Sequence, residues 1–312
     1  MVLLCSTFAF GQKAENGILD LSVISFEEKK LTKLDGDWAF EWNRFIDPDS
    51  GITACTDQIA VPGNWFAFNP GKSDMEMAYG YGSYALKLIL PEANQSYALK
   101  LPNIHTSYEL FLNGKSVAKC GIPEKERELS VPSSQTIVVS FISDVNAEAE
   151  LVFHVSNYFY PSATGLWLPI EVGTVPGITA ARSWNYLWSG FLIGSLILMA
   201  LYHIGLFISR RKDVSTFIFA SLCLMLAIRE LFSGEVIAFD LFPLLPWNAA
   251  MRLLITIFPL TLIAFALFIY KLYPEFYKKK VLIGLIGYCS TYIVLVLFTP
   301  SWIYLGYMLF LM

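Results

Sequence analysis

Aromatic and imidazole side chains set in turn-rich segments are the residues of this chain best suited to recognition chemistry. Trp65, Tyr79 and Tyr81, with Phe66, lie in a long polar loop between strand-like segments, and Trp167 precedes Pro169 in another. A flat apolar ring laid against the C–H face of a pyranose, with amides and hydroxyls nearby to read its hydroxyl groups, is how a saccharide is held. The loop with Trp65, Tyr79 and Tyr81 is therefore the leading ligand candidate. Trp167 is read as sealing the end of its domain, with saccharide stacking as the alternative. His154 lies on the polar side of an alternating segment beside Ser156 and Asn157, and His105 lies in the turn region 103–107. Each histidine is read as a solvated side chain, with ligand contact as the alternative. The candidate ligand residues are thus Trp65, Tyr79, Tyr81, His105, His154, Asn157 and Trp167.

A second set is charged and sits inside apolar runs: Arg229, Glu230 and Arg252. Charge in a bilayer is costly and marks functional positions by default. All three fall near the ends of their runs, within reach of the headgroups, so interfacial anchoring is the plainer reading. The sharper expectation is transmembrane coupling: Arg229 and Arg252 face each other across the mouth of a helix bundle and pair with Glu230 or the underside of the outer domain. His203 reads as an interfacial or packing residue.

Catalysis finds less support. Asp35 with Asp37, and Glu124 with Glu126 and Glu128, read as solvated strand or loop charges, so no pair is placed as acid and nucleophile for glycoside hydrolysis, and no catalytic residue is assigned. With three histidines, five cysteines and no CxxC or HxH spacing, neither a metal site nor a cofactor is expected. Cys223 and Cys289 fall in apolar runs as packing residues. Cys55 and Cys120 share one compartment, where a disulfide and two free thiols both remain open. The net charge of −4 says little about partners, but with no basic footprint nucleic acid is not expected as one.

The elements that must position these residues belong to two solvents. At 55% hydrophobic and 15% charged over 312 residues, the chain is too apolar for one soluble globule. From residue 34 to residue 174 the period is two. Tyr84, Leu86, Leu88 and Leu90 alternate with Ala85, Lys87 and Ile89, and Leu151, Phe153 and Val155 alternate with Val152, His154 and Ser156. Asn113-Gly114 predicts a two-residue hairpin turn, and Trp38 alternates with Phe40 as a core aromatic. The fold class is an antiparallel β-sandwich or jelly roll, followed by an all-α bundle of membrane helices. Spans are predicted over 187–209, 214–232, 250–270 and 281–298, each near the length of about twenty residues that crosses a bilayer. A fifth begins near 303 and is cut short.

Arg210-Arg211-Lys212 lies between the first two spans, and Lys271 with Lys278-Lys279-Lys280 between the third and fourth, while Glu235 and Asp240 lie on the other side. The positive-inside rule then puts the β domain outside the cytoplasm, in the inner membrane of a bacterial cell. Residues 1–11 read as the tail of a secretory signal, 12–33 as an N-terminal extension, and 175–186, with Pro176-Gly177, as a short tether.

LDGDWAF at 34–40, VPGNW at 61–65, GYGSYALKL at 80–88, LFLNGKSV at 110–117 and GLWLPIEVG at 165–173 occur in an order similar to that of galactose-binding-like jelly rolls, such as the sugar-binding domain of β-glucuronidase-type glycosidases. The run YHIGLFISRRKD at 202–213, then FIFASLCLMLAIREL at 217–231, resembles bacterial seven-transmembrane receptors with diverse intracellular signalling modules. That resemblance implies three further spans, a cytoplasmic kinase, cyclase or phosphatase, a carbohydrate ligand outside, and a homodimer where the output is a kinase or cyclase. The expected partners are the lipid bilayer and a saccharide or other small polar ligand. A membrane-tethered glycan-binding or transport component without signalling is the other reading.

Overall fold

The computed structural model describes residues 12–28, 30–68, 74–161, 164–275 and 278–308, so the signal-like segment 1–11 lies outside the described residues. It separates into a β unit, residues 1–158 with 163–180, and a helical unit, residues 159–162 with 181–312.

In chain order the β unit holds β1 (Ile18–Asp20), β2 (Leu31–Lys33), β3 (Gly36–Trp42), β4 (Asp57–Val61), the short α1 (Asp74–Met77), β5 (Gly80–Ile89), β6 (Ser96–Leu101), β7 (Ser107–Leu112), β8 (Lys115–Cys120), β9 (Ile137–Ile142), β10 (Glu148–Asn157) and β11 (Glu171–Thr174). One sheet runs β4-β3-β5-β10-β7-β8, with β1 added parallel to the end of β5; the other runs β2-β11-β6-β9. The alternation dictates this. Tyr84, Leu86 and Leu88 of β5, Leu151, Phe153 and Val155 of β10, and Tyr97, Leu99 and Leu101 of β6 share one core between the sheets. Each such side chain contributes about 1.5–3 kcal/mol by leaving water. Trp38 is wholly buried and its indole N–H donates to the Leu34 carbonyl at 2.9 Å. At the β7–β8 hairpin, Asn113 and Gly114 take φ of 48° and 76°, the left-handed values such a turn needs.

The segment expected as an extension, 12–33, is part of the sandwich: β1 pairs with β5 and β2 with β11. Three-residue strands are too short to show a period, which is why the pattern hides them. A further layer was not legible either. Ile46 and the half-buried Ile52, Ala54 and Cys55 cover the other face of the large sheet against Ala39, Ala85 and Val152. This is why β5 is buried on both faces along much of its length.

The helices are α2 (Val175–Ser209), α3 (Val214–Leu231), the short α4 (Ile237–Leu241), α5 (Trp247–Leu272), α6 (Lys279–Phe298) and α7 (Ser301–Met308). Among the described residues α2, α3, α5 and α6 are long and apolar enough to cross a membrane. The expected tether is corrected: helix begins at Val175, directly after β11, and runs unbroken through 175–186. Proline in a first turn lacks an N–H that would have no helical partner anyway, so Pro176 does not interrupt it.

Candidate functional site

One end of the sandwich gathers most of the predicted ligand residues. Pairing of Asn157 with Gly80, and of Ser156 with both Tyr81 and Ser107, brings the end of β10, the start of β5 and the start of β7 together. The Asn157 amide and the Trp65 indole N–H both donate to the Ala78 carbonyl, each at 3.1 Å. Tyr79, half-buried, follows Ala78. His105 is buried and stacks on Trp167 with ring centres 5.5 Å apart and planes 12° from parallel. Burial alone pushes the His105 pKa down to about 4, so the imidazole is neutral. Trp167 is half-buried, and among the described residues nothing accepts its indole N–H.

Beneath this end the buried hydroxyls of Ser107, Ser130 and Ser156 meet at 2.9–3.3 Å, and Ser156 Oγ also accepts the Glu124 N–H at 3.2 Å. They fasten the 121–135 segment to the strand ends. Sequence gave no signal of them, because nothing in their spacing distinguishes three scattered serines.

Of the other predicted residues, one lies inside this end rather than on it and two go elsewhere. Trp65 is not a loop platform: it is wholly buried, packed edge-on against Trp42 at 5.2 Å, because the polar loop folds inward at this residue. Tyr81 and His154 point to the opposite face of the large sheet. There Phe45 stacks on His154 at 4.7 Å and lies 5.0 Å from Tyr81, and Phe111 approaches His154 at 4.8 Å. His154 Nε2 donates to the Ile46 carbonyl at 2.9 Å, as a neutral ring must. Desolvation lowers its pKa and favours that neutral form. His154 is therefore a clip that holds the 43–55 segment on the sheet, neither a solvated strand residue nor an open ligand contact.

In the helical unit, the expected Arg229–Arg252 arrangement is not found. Arg252 caps α6: its Nη1 donates to the carbonyls of Val296 and Leu297 at 2.6 and 2.7 Å, its Nη2 to Thr299 at 2.9 Å, and the guanidinium lies 5.6 Å from the Tyr304 ring centre. A cation on the last carbonyls of a helix is favoured by their aligned dipoles. Arg229 is exposed and forms no ion pair among the described residues. Glu230 Oε1 accepts from Ser189 at 3.1 Å.

The charge network that does form was missed. Arg182 bridges Glu235 at 3.6 Å and Asp240 at 3.5 Å, the Asn185 amide donates to Glu235 at 2.8 Å, and the Tyr186 hydroxyl donates to Asp240. Glu235 is 3% exposed, a burial a carboxylate tolerates only with such partners. Reading 175–186 as a tether concealed Arg182, which a helical reading would have put one turn before Tyr186. The described cysteines, Cys55 and Cys120 among them, are free thiols. Burial pushes the Cys55 thiol up to about 12, so it is no nucleophile at neutral pH.

Residues 185–312 match the family model described as 7TM diverse intracellular signalling. No curated protein matches the chain. Among solved structures it is similar to a Faecalibacterium prausnitzii beta-glucuronidase, with 17% identity and a TM-score of 0.35 over 46% of this chain and 31% of that one. It is also similar to a GH2 beta-galacturonidase from Eisenbergiella tayi bound to galacturonate (16%, TM-score 0.32, 46% and 24%). A third is a Ruminococcus gnavus b-glucuronidase in complex with D-glucuronic acid (15%, TM-score 0.33, 46% and 29%). The chain spans less than a third of the length of each of these proteins.

Proposed function

We propose that this chain is the sensory part of a transmembrane signal-transduction receptor whose β unit binds an extracytoplasmic saccharide and whose helices relay occupancy to a cytoplasmic output module. The observation that carries the receptor reading is the match of the helical unit, 185–312, to a seven-transmembrane signalling family, joined to a separately folded β unit. Support for the orientation is the charge bias: Arg210, Arg211 and Lys212 follow α2, and Lys278, Lys279 and Lys280 begin α6, so these turns face the cytoplasm.

The saccharide would be held where His105, Asn157 and Trp167 converge. The indole face of Trp167 supplies the apolar platform, and the neutral His105 behind it fixes the ring. A neutral site suits a ligand rich in hydroxyls, since no buried charge must be desolvated. The test is binding of a glycan panel to the full chain in lipid nanodiscs. The reading expects one saccharide class to bind and Trp167→Ala to weaken it at least tenfold with the fold intact. Absence of binding across the panel would remove the saccharide while leaving the membrane receptor.

A further inference from the structure

The two sheets of the β unit present free edges at β2, β4, β8 and β9. A free edge carries unpaired N–H and C=O groups that accept any strand offered to them, and folded proteins blunt it with short length, lysine, proline or a bulge. Three of these four edges are blunted in this way. β2 is three residues long and ends on Lys33. β4 begins at Asp57 and runs into Pro62. β8 carries Lys115 and Lys119, and its ladder with β7 is irregular at Leu110 and Phe111.

β9 has none of these protections. It reads Ile-Val-Val-Ser-Phe-Ile over six residues, with no charge, proline or glycine. One side pairs with β6 along the whole strand, Ile137 with Leu101 through to Ile142 with Ser96. Among the described residues, 137–142 make no backbone hydrogen bond to any other segment. Ile137, Val139 and Phe141 face the core between the sheets, so Val138, Ser140 and Ile142 face outward. Ile142 is 65% exposed. The buried inner face fixes the register of the strand, because a slip of one residue would turn its core side chains to water.

We propose that β9 is the contact between two copies of this chain, which pair edge to edge and antiparallel about a twofold axis at Ser140. The sheet β2-β11-β6-β9 then continues into its copy. Directly opposed residues share a face, and this register sets Val138 against Ile142 of the second copy on both sides of the axis, a β-branched cross-strand pair of the kind that stabilises sheets. The strand is thus its own uncharged complement. Parallel pairing would instead bring each Asp144 beside its own copy, a like-charge contact that the antiparallel arrangement avoids. Twofold pairing is also closed: it occupies both β9 edges and leaves only blunted ones. The contact lies wholly within the β unit and depends on neither the saccharide nor an output module. Six paired residues a side form a small contact, so its place of measurement is the membrane rather than dilute solution.

The test is disulfide crosslinking of the full chain in native membranes, with Cys5 and Cys55 replaced by serine. Ser140→Cys meets its own copy at the axis. The membranes are prepared in reductant, which keeps this thiol free for labelling, and are then oxidised. A disulfide dimer should form at least tenfold faster than with Lys119→Cys on β8 or Lys33→Cys on β2. Equal rates at the three positions would overturn the proposal. Ile142→Lys or Val138→Asp, each added to Ser140→Cys, should slow crosslinking at least fivefold, and the two together should restore it, because the new ammonium and carboxylate then face each other across the axis. Both substitutions point outward, and an unchanged thermal unfolding of the β unit shows that the fold is kept. Crosslinking that neither substitution slows would contradict the register and the contact with it. A Ser140→Cys thiol that crosslinks to a different protein and not to its own copy would assign the edge to an extended segment of that protein and overturn the second copy.

Discussion

Trp38 and Trp65 in the β unit have no exposed surface, while Trp184 and Trp188 in α2 are 60% and 51% exposed. The same residue type is core in one region and periphery in the other because the solvent differs. In water, removing an indole from solvent drives folding, and its one N–H is then matched to a backbone carbonyl, Leu34 for Trp38 and Ala78 for Trp65. In lipid, an exposed indole costs little and sits well near the interface, so close packing and polar contacts hold helices together instead. Charged residues invert in the same way. The ion pairs of the β unit, such as Lys87–Glu148, are partly exposed and worth little, whereas Arg182 with buried Glu235 and Arg252 on the α6 carbonyls fix the arrangement of helices.

The contrast breaks most readily at its tryptophans. Trp65→Ala should destabilise the β unit by about 3–5 kcal/mol in denaturant unfolding, and Trp188→Ala should change helical stability by less than about 1 kcal/mol. Equal losses would end the comparison. Acid should act on the β unit through His105. With a folded pKa of about 4 against an ordinary 6.5, the unfolded chain takes up a proton first as pH falls. The stabilisation is full above pH 6.5 and is lost as pH drops toward 4, a difference on the order of 3 kcal/mol. His105→Phe should flatten that part of the unfolding profile. In the helical unit, Arg252→Leu leaves the Val296, Leu297 and Thr299 carbonyls without their donor and should cost about 2 kcal/mol in bicelles, while Arg229→Leu should stay within about 0.5 kcal/mol. Thr174→Ala should cost about 1 kcal/mol or less through the lost cap on the Gly177 N–H, seen as faster exchange confined to the start of α2.

Periodicity carried the longer elements well. The alternation in β5, β6 and β10 identified the inward residues, and the apolar runs located α3, α5 and α6 to within a few residues of their ends. What escaped was set by tertiary partners. β1 and β2 exist because β5 and β11 offer edges to them, and the 43–55 cover depends on His154, a residue whose sequence neighbours are polar. Pro176-Gly177 misled most: the pair usually marks a break, yet here the proline occupies a first turn and the glycine answers the close approach of Lys30. The candidate ligand site was legible in part. His105, Asn157 and Trp167 converge on one end of the sandwich, but the partners that bury Trp65 and turn Tyr81 away come from distant strands. Arg252 was recognised as a residue with a task, and its partner could not be read because backbone carbonyls leave no mark in a sequence.

The central claim, a water-exposed β unit outside the cytoplasm on helices that cross the membrane, is tested most directly by labelling single cysteines in intact cells with a membrane-impermeant maleimide. Ser140→Cys in the β unit should react without permeabilisation, and Arg211→Cys between α2 and α3 only after it. Reaction of Arg211→Cys in intact cells, with Ser140→Cys protected until lysis, would contradict the account by placing the β unit in the cytoplasm.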